Sequence, residues 1–203
     1  MVNKQFIWKP LPIEDIQQLF KTLSIPWWIA GGWALDLYVG AKTRDHDDID
    51  VVIVRDDVHK LNAALTERWE LYKAVKGELT LWERNEVLPS YFDNLWVKRI
   101  GSDTWNFQVM IVDTHGGDWL YKRKKTITRP IEEIGLQTAE GVPYLRPEIQ
   151  LLYKGGSSHI REKDVFDLET LLPIMSKREI NWLKDSLNDQ FPEGHDWIDR
   201  LKT

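Results

Sequence analysis

The chain has 203 residues, 32 acids against 27 Lys and Arg, a formal net charge of −5 and no cysteine. That balance excludes disulfides and thiolate zinc sites and removes the counterion-release drive toward duplex nucleic acid. The opening "MVNKQFIWKPLPIEDI" lacks a signal-peptide core, and no run approaches the ~20 apolar residues of a membrane span, so a soluble cytoplasmic protein is expected.

Residues 12–25 space Ile13, Ile16, Leu19, Phe20 and Leu23 for a helix with acids in its first turn. Pro26 stops it, and "WWIA" (27–30) reads as a short buried strand. Gly31 and Gly32 make a turn, and "WALDLYVG" reads as a helix ending at Gly40. A polar loop, "AKTRDHD", leads to "DIDVVIV" (48–54), a strand wet only at its beginning. "DDVHKLNAALTERW" (56–69) follows as a helix capped by Asp56 or Asp57. The middle is β-rich, with "ELYKAV", "ELTLWE", "LWVKRI", "WNFQVMIV" and "WLYKRKKTITR" as strands. The basic run at 121–129 is expected to be a solvated strand edge, where lysines block pairing. The end is helical: Pro147 opens one helix and Gly155 stops it, "REKDVFDLETLLP" is amphipathic, and Ser176 and Glu179 stand in capping-box spacing. This predicts an α/β domain over 1–140 and a helical lobe over 141–203. The eleven tryptophans are many for this length, and are expected in core and rim packing, some free to stack on a planar ligand.

The chemistry concentrates in "GGWALDLYVGAKTRDHDDIDVVIV" (31–54). Side chains two apart on a strand share a face, so Asp48 and Asp50 are expected to project together, with Cα atoms about 7 Å apart. Burying carboxylates without a positive partner is costly. Two hard oxygen ligands suit Mg²⁺ or Mn²⁺, which keep waters and bind phosphate oxygens as well. Two glycines between a strand and a helix start let the backbone approach phosphate at the helix's positive end. A tight strand-to-helix turn needs glycine in any case. "GAKT" (40–43) lacks the spacing and the preceding strand of a P-loop, and "DHDDID" lacks the glycine of a calcium loop.

Strand, Gly-Gly, helix and then Asp-x-Asp resembles the polymerase-β-like nucleotidyltransferases. More narrowly, "GGWALDLYVGAKTRDHDDIDVVI" resembles the aminoglycoside 2''-adenylyltransferase and lincosamide nucleotidyltransferase group. "WNFQVMIVD", "VPYLRPEIQLLYK" and "REKDVFDL" extend the resemblance over most of residues 27–170. It implies an α+β nucleotidyltransferase fold: a small mixed sheet flanked by helices, a C-terminal helical lobe and a nucleotide cleft. The implied reaction moves a nucleoside monophosphate, AMP foremost, from a nucleoside triphosphate such as ATP to a hydroxyl of a small molecule. An acidic chain suits a cationic acceptor such as an aminoglycoside-like antibiotic. Nucleotidylation of a protein or RNA end, or a binding module that lost chemistry, are the alternatives.

In this resemblance Asp48 and Asp50 hold Mg²⁺ or Mn²⁺, and Gly31, Gly32 and Trp33 cradle phosphate. Two features depart from the superfamily. Gly32 stands where many members have serine. The expected third carboxylate falls at Gln108, a neutral amide, because Asn106, Gln108 and Met110 share one face of "WNFQVMIV" and Asp113 falls on the other. Arg44 and Lys42 are loop cations within reach of a triphosphate, with loop solvation as the plain alternative. Lys154 is a candidate for β- or γ-phosphate, or for helix-dipole compensation. Lys163, Asp164 and Asp167 are most simply a solvated helix face, with a cleft-lining role implied by the family pattern. His46 is read as a loop residue.

Overall fold

The computed structural model describes residues 6–201. In chain order it begins with β1 (Ile7–Trp8), α1 (Ile13–Lys21), β2 (Trp27–Ala30), α2 (Gly31–Val39) and β3 (Asp50–Val54). A 3-10 turn at Arg55–Asp57 leads into α3 (Val58–Leu65). Then come β4 (Trp69–Val75), β5 (Glu78–Leu81), β6 (Asn94–Arg99), β7 (Thr104–Trp105) and β8 (Phe107–His115). The remainder is β9 (Asp118–Leu120), β10 (Thr128–Pro130), β11 (Gly135–Gln137), β12 (Pro143–Leu145), α4 (Pro147–Gly155), α5 (Glu162–Leu171), α6 (Lys177–Gln190) and α7 (Trp197–Arg200). Among the described residues no helix is long and apolar enough to cross a membrane. Residues 1–5, part of the segment read for a leader, lie outside the described residues.

Two compact units result: residues 1–29 with 46–112, and residues 30–45 with 113–203. These units divide the chain elsewhere than at residue 140. In the first, strands run in the order β2-β3-β8-β6-β4-β5. β3 and β8 are parallel, and β8, β6, β4 and β5 pair antiparallel in turn. One sheet face is closed by apolar packing. Ile49, Val51, Phe107, Val109, Val97 and Leu71 are all fully buried, and Phe20 of α1 meets the Phe107 ring edge-on at 6.0 Å. α1 buries Ile16 and Phe20, as its spacing predicts.

The opposite face carries a different row. Asp50 pairs in register with Gln108, Gln108 with Trp96, and Trp96 with Tyr72. Side chains level with one another across a ladder share a face. The strand breaks at Asn106 into β7 and β8, so Trp105 does not continue the face of Phe107. Asn106 takes the Arg99 N–H on its side-chain oxygen at 3.1 Å and donates to the Lys9 carbonyl at 3.0 Å. The break turns Trp105 onto the other layer, 5.3 Å from Trp96 and 5.2 Å from Tyr72.

In the second unit, the end of β8 (from Asp113) pairs antiparallel with β9, β9 with β10, and β11 with β12. Of the basic run expected as a strand edge, only Thr128 and Arg129 lie in a strand, β10, which pairs with β9. Residues 121–127 connect β9 to β10 around a fully buried Tyr121, whose hydroxyl donates to the Leu152 carbonyl at 3.2 Å. Arg123 donates to that hydroxyl and to the Tyr153 carbonyl. Ser176 caps α6 as its spacing predicts, accepting the Glu179 N–H at 3.3 Å while Glu179 accepts the Ser176 N–H at 2.7 Å. Asp57 stands at the N-cap of α3 but does not cap it with its side chain, which bonds Lys60 Nζ at 2.7 Å.

Candidate functional site

In the first unit, β3 begins at Asp50, so Asp48 precedes the strand rather than sharing it. The ladder itself starts one residue early, since the Gln108 N–H donates to the Ile49 carbonyl at 2.9 Å. Ile49 is fully buried between two half-buried aspartates. The acids thus flank an anchored backbone at the mouth of a strand, with Gln108 level with Asp50. Among the described residues no group of three or more His, Cys, Asp or Glu side chains is placed to hold a metal. The oxygen-bearing side chains at this strand head are Asp48, Asp50 and Gln108. They fit a Mg²⁺-type ion that takes one or two protein carboxylates and completes its shell with water and phosphate.

Asp47, His46 and Asp48 line a cavity of about 650 Å³ together with Phe6, Trp8 and Pro10. His46 is a loop residue by sequence, and nothing in the sequence singles out Phe6 or Trp8 from the other aromatics. Only the pairing of β1 with β7 brings "FIWKP" to these acids.

In the second unit, α2 starts at Gly31 itself, directly after β2, with no separate turn. Gly31 has φ +67°, a conformation that side chains other than glycine rarely adopt, which accounts for one of the two glycines. Its N–H donates to Gln150 Oε1 of α4 at 2.8 Å. The first backbone donor expected to meet phosphate is therefore engaged within the protein. α2 ends at Gly40, in the left-handed conformation (φ +79°), as expected.

The loop after α2 is fixed by charge. Buried Asp36 accepts the Thr43 N–H at 3.1 Å and its hydroxyl at 2.6 Å. Arg44 grips Asp167 through two parallel bonds, Nε to Oδ1 at 2.8 Å and Nη2 to Oδ2 at 3.0 Å. Lys154 lies buried between Asp167 at 2.8 Å and Asp164 at 3.2 Å. Arg161 closes the other side of Asp164. Asp164 and Asp167 are 1% and 2% exposed, which corrects the expectation of a solvated helix face. Only Lys163 of that trio is exposed. The family pattern could flag these acids, but nothing in a one-dimensional pattern paired Arg44 with a residue 123 positions away.

Burial opposes the charge on Asp164, yet hydrogen bonds from Arg161 and the charge of Lys154 outweigh it and hold its pKa down at about 2. For Asp167 burial is likewise outweighed, by Arg44 and Lys154, and its pKa is lowered. Both acids are therefore ionised. Lys154, a candidate for phosphate or for helix-dipole compensation, has its ammonium closed on two carboxylates. Lys42 makes an exposed contact with Asp45 at 2.6 Å. Asp113 lies in this unit, its β8 position paired with Leu120 of β9.

The profile of the aminoglycoside-2''-adenylyltransferase family matches residues 12–74. A lincosamide resistance protein of Staphylococcus haemolyticus is 23% identical over 159 residues, 78% of this chain and 91% of that protein. A 2''-aminoglycoside nucleotidyltransferase of Escherichia coli is 57% identical over 28 residues, so the match spans only 16% of that relative's length and 14% of this chain. The crystal structure of a lincosamide antibiotic adenylyltransferase with lincomycin bound superposes with a TM-score of 0.56 at 20% identity, over 80% of this chain and 96% of that one. The fold is a nucleotidyltransferase fold. The chain thus resembles, in motif and in architecture, the aminoglycoside 2''-adenylyltransferase and lincosamide nucleotidyltransferase group. Within that fold the Asp-x-Asp pair stands at the head of β3, and Gly31-Gly32 forms the first two residues of α2.

Proposed function

We propose that the chain transfers a nucleoside monophosphate, AMP foremost, from a nucleoside triphosphate to a hydroxyl of a small acceptor, with antibiotics of the aminoglycoside and lincosamide kind as first candidates. The observation that carries the reading is the Asp48–Ile49–Asp50 stretch: two acids flanking a buried, ladder-bonded residue at the start of a strand whose neighbour presents Gln108. Asp48 and Asp50 would hold Mg²⁺ or Mn²⁺. When bound, such an ion stabilises charge on the oxygens of the transferred phosphoryl group.

The chain's own residues do the rest. The positive end of α2, from Gly32 onward, faces anionic groups favourably, Gly31 being held by Gln150. Arg44 and Lys154 are assigned a positioning role, tying the 40–45 loop to α4 and α5 through Asp167. Gln108 can orient an acceptor or a water through its amide, but cannot accept a proton as a carboxylate does. That substitution specifically favours one second reading, a nucleotide-binding module with slow or lost transfer.

Calorimetry with ATP, with and without Mg²⁺, tests the assignment. Asp50→Asn should remove the Mg²⁺-dependent part of ATP binding while the protein stays folded. Unchanged Mg²⁺-dependent binding in that variant would sink the reading. Pyrophosphate release with a panel of hydroxylated acceptors then separates enzyme from module. Thermal stabilisation by MgATP without release on any acceptor points to the module.

A further inference from the structure

The cavity of about 650 Å³ beside Asp48 has two unlike walls. One is His46, Asp47 and Asp48; the other is Phe6, Trp8 and Pro10. The aromatic wall is no fraying terminus. β1 pairs parallel with β7, the Lys9 N–H donates to the Trp105 carbonyl at 2.8 Å, and the Leu11 N–H donates to the Asn106 carbonyl at 3.0 Å. Trp8 and Phe6 then stand edge-on against Trp96, at 4.8 and 4.9 Å between ring centres. Trp96 is the register neighbour of Gln108, which is itself level with Asp50. The aromatic layer therefore ends beside the acids proposed for chemistry. Phe6, Trp8 and Pro10 all precede residues 12–74, which the family profile matches.

We propose that this cavity receives the acceptor, and that Phe6 and Trp8 select an amine-bearing molecule with an apolar ring face. The ring lies on the aromatic wall, and the ammonium meets Asp47. Two features of the site call for two features of the ligand. An indole and a phenyl ring attract both apolar faces and cations, and a neighbouring carboxylate adds charge selection. The assignment of the occupant as acceptor rests on Asp48 and Asp50 holding the metal–nucleotide. The ring-plus-cation selectivity rests on the cavity alone.

The test is binding by NMR to the full chain, read at the Trp8 indole N–H, identified by its disappearance in Trp8→Phe. The probes are phenethylammonium, benzyl alcohol (ring without charge) and spermidine (charge without ring). Phenethylammonium should give a saturable shift, with each of the other two weaker by about tenfold, the usual scale for losing one such contact. Asp47→Asn should weaken phenethylammonium and leave benzyl alcohol unchanged. Equal binding of all three, or an unmoved Trp8 resonance, overturns the selectivity. MgATP should bind together with phenethylammonium. Competition between them would make the cavity a nucleotide subsite and overturn the acceptor assignment. MgATP that fails to bind at all removes the proposed function and the acceptor assignment with it, while the probe series is read independently.

Discussion

The two units bury acidic residues to different depths. In the second, Asp164 and Asp167 are closed on Lys154, Arg44 and Arg161, nearly out of contact with solvent. In the first, half-buried Asp48 borders a cavity, and half-buried Asp50 is level with a row of amide and indole side chains. The difference separates charge sealed in the interior from charge left part-exposed at a strand head. Buried ion pairs with several bonds fix geometry, and removing one member is costly.

The largest effect should come from breaking the closed network. Asp167→Ala removes the carboxylate shared by Arg44 and Lys154, and should cost about 3–5 kcal/mol in urea unfolding, the scale for uncompensating a buried charge. A loss below about 1 kcal/mol, the value of an exposed pair, would erase the contrast between the two units.

Gln108→Glu sharpens the comparison from the other side. It adds a carboxylate level with Asp50, and should tighten Mn²⁺ binding and speed transfer to a working acceptor by about 10²-fold, the lower range for a positioned base. An unchanged rate alongside tighter metal binding would assign Gln108 a ligand-side role only.

A pH titration of thermal stability probes the network more gently. Asp164 has an ordinary value of 3.8 and a folded value of about 2. A depressed acid pKa contributes stability above the unfolded value and loses it as pH falls through the folded one. Tm should therefore be insensitive to these groups above pH 4 and fall between pH 4 and 2. In Asp164→Asn that acid-dependent part should shrink; an identical profile would assign the loss to other carboxylates.

The smallest effect belongs to local capping. Ser176→Ala should cost about 1 kcal/mol by loss of the bond to the Glu179 N–H. It should leave nucleotide and probe binding untouched, which checks that stability changes in the second unit do not by themselves disturb ligand sites.

Much of the fold was legible because local rules and the tertiary fold agree. The α1 spacing, the Gly40 stop, the Ser176–Glu179 box and the alternation that put Gln108 apart from Phe107 all read directly from adjacent residues. Failures occurred where a distant partner overrode a local preference. "KDVFDL" has the pattern of a wet helix face, yet Lys154 and Arg44 come from elsewhere to bury its acids. The basic run at 121–129 has strand-like composition, yet Tyr121 and Arg123 turn inward to bond the carbonyls of Leu152 and Tyr153.

By itself, the sequence determined the periodic elements, the Gly-Gly and Asp-x-Asp motif and the family resemblance, because these depend on spacings of a few residues. Only the tertiary structure decided what the charged and aromatic side chains do. Gly31 gives its N–H to Gln150, 119 positions away, and Asn106 breaks a strand to anchor Lys9, 97 positions away. Trp8 reaches Trp96 because β1 joins β7. Hydrogen bonds and desolvation act through space, so a residue's role is set by the partner that folding brings to it.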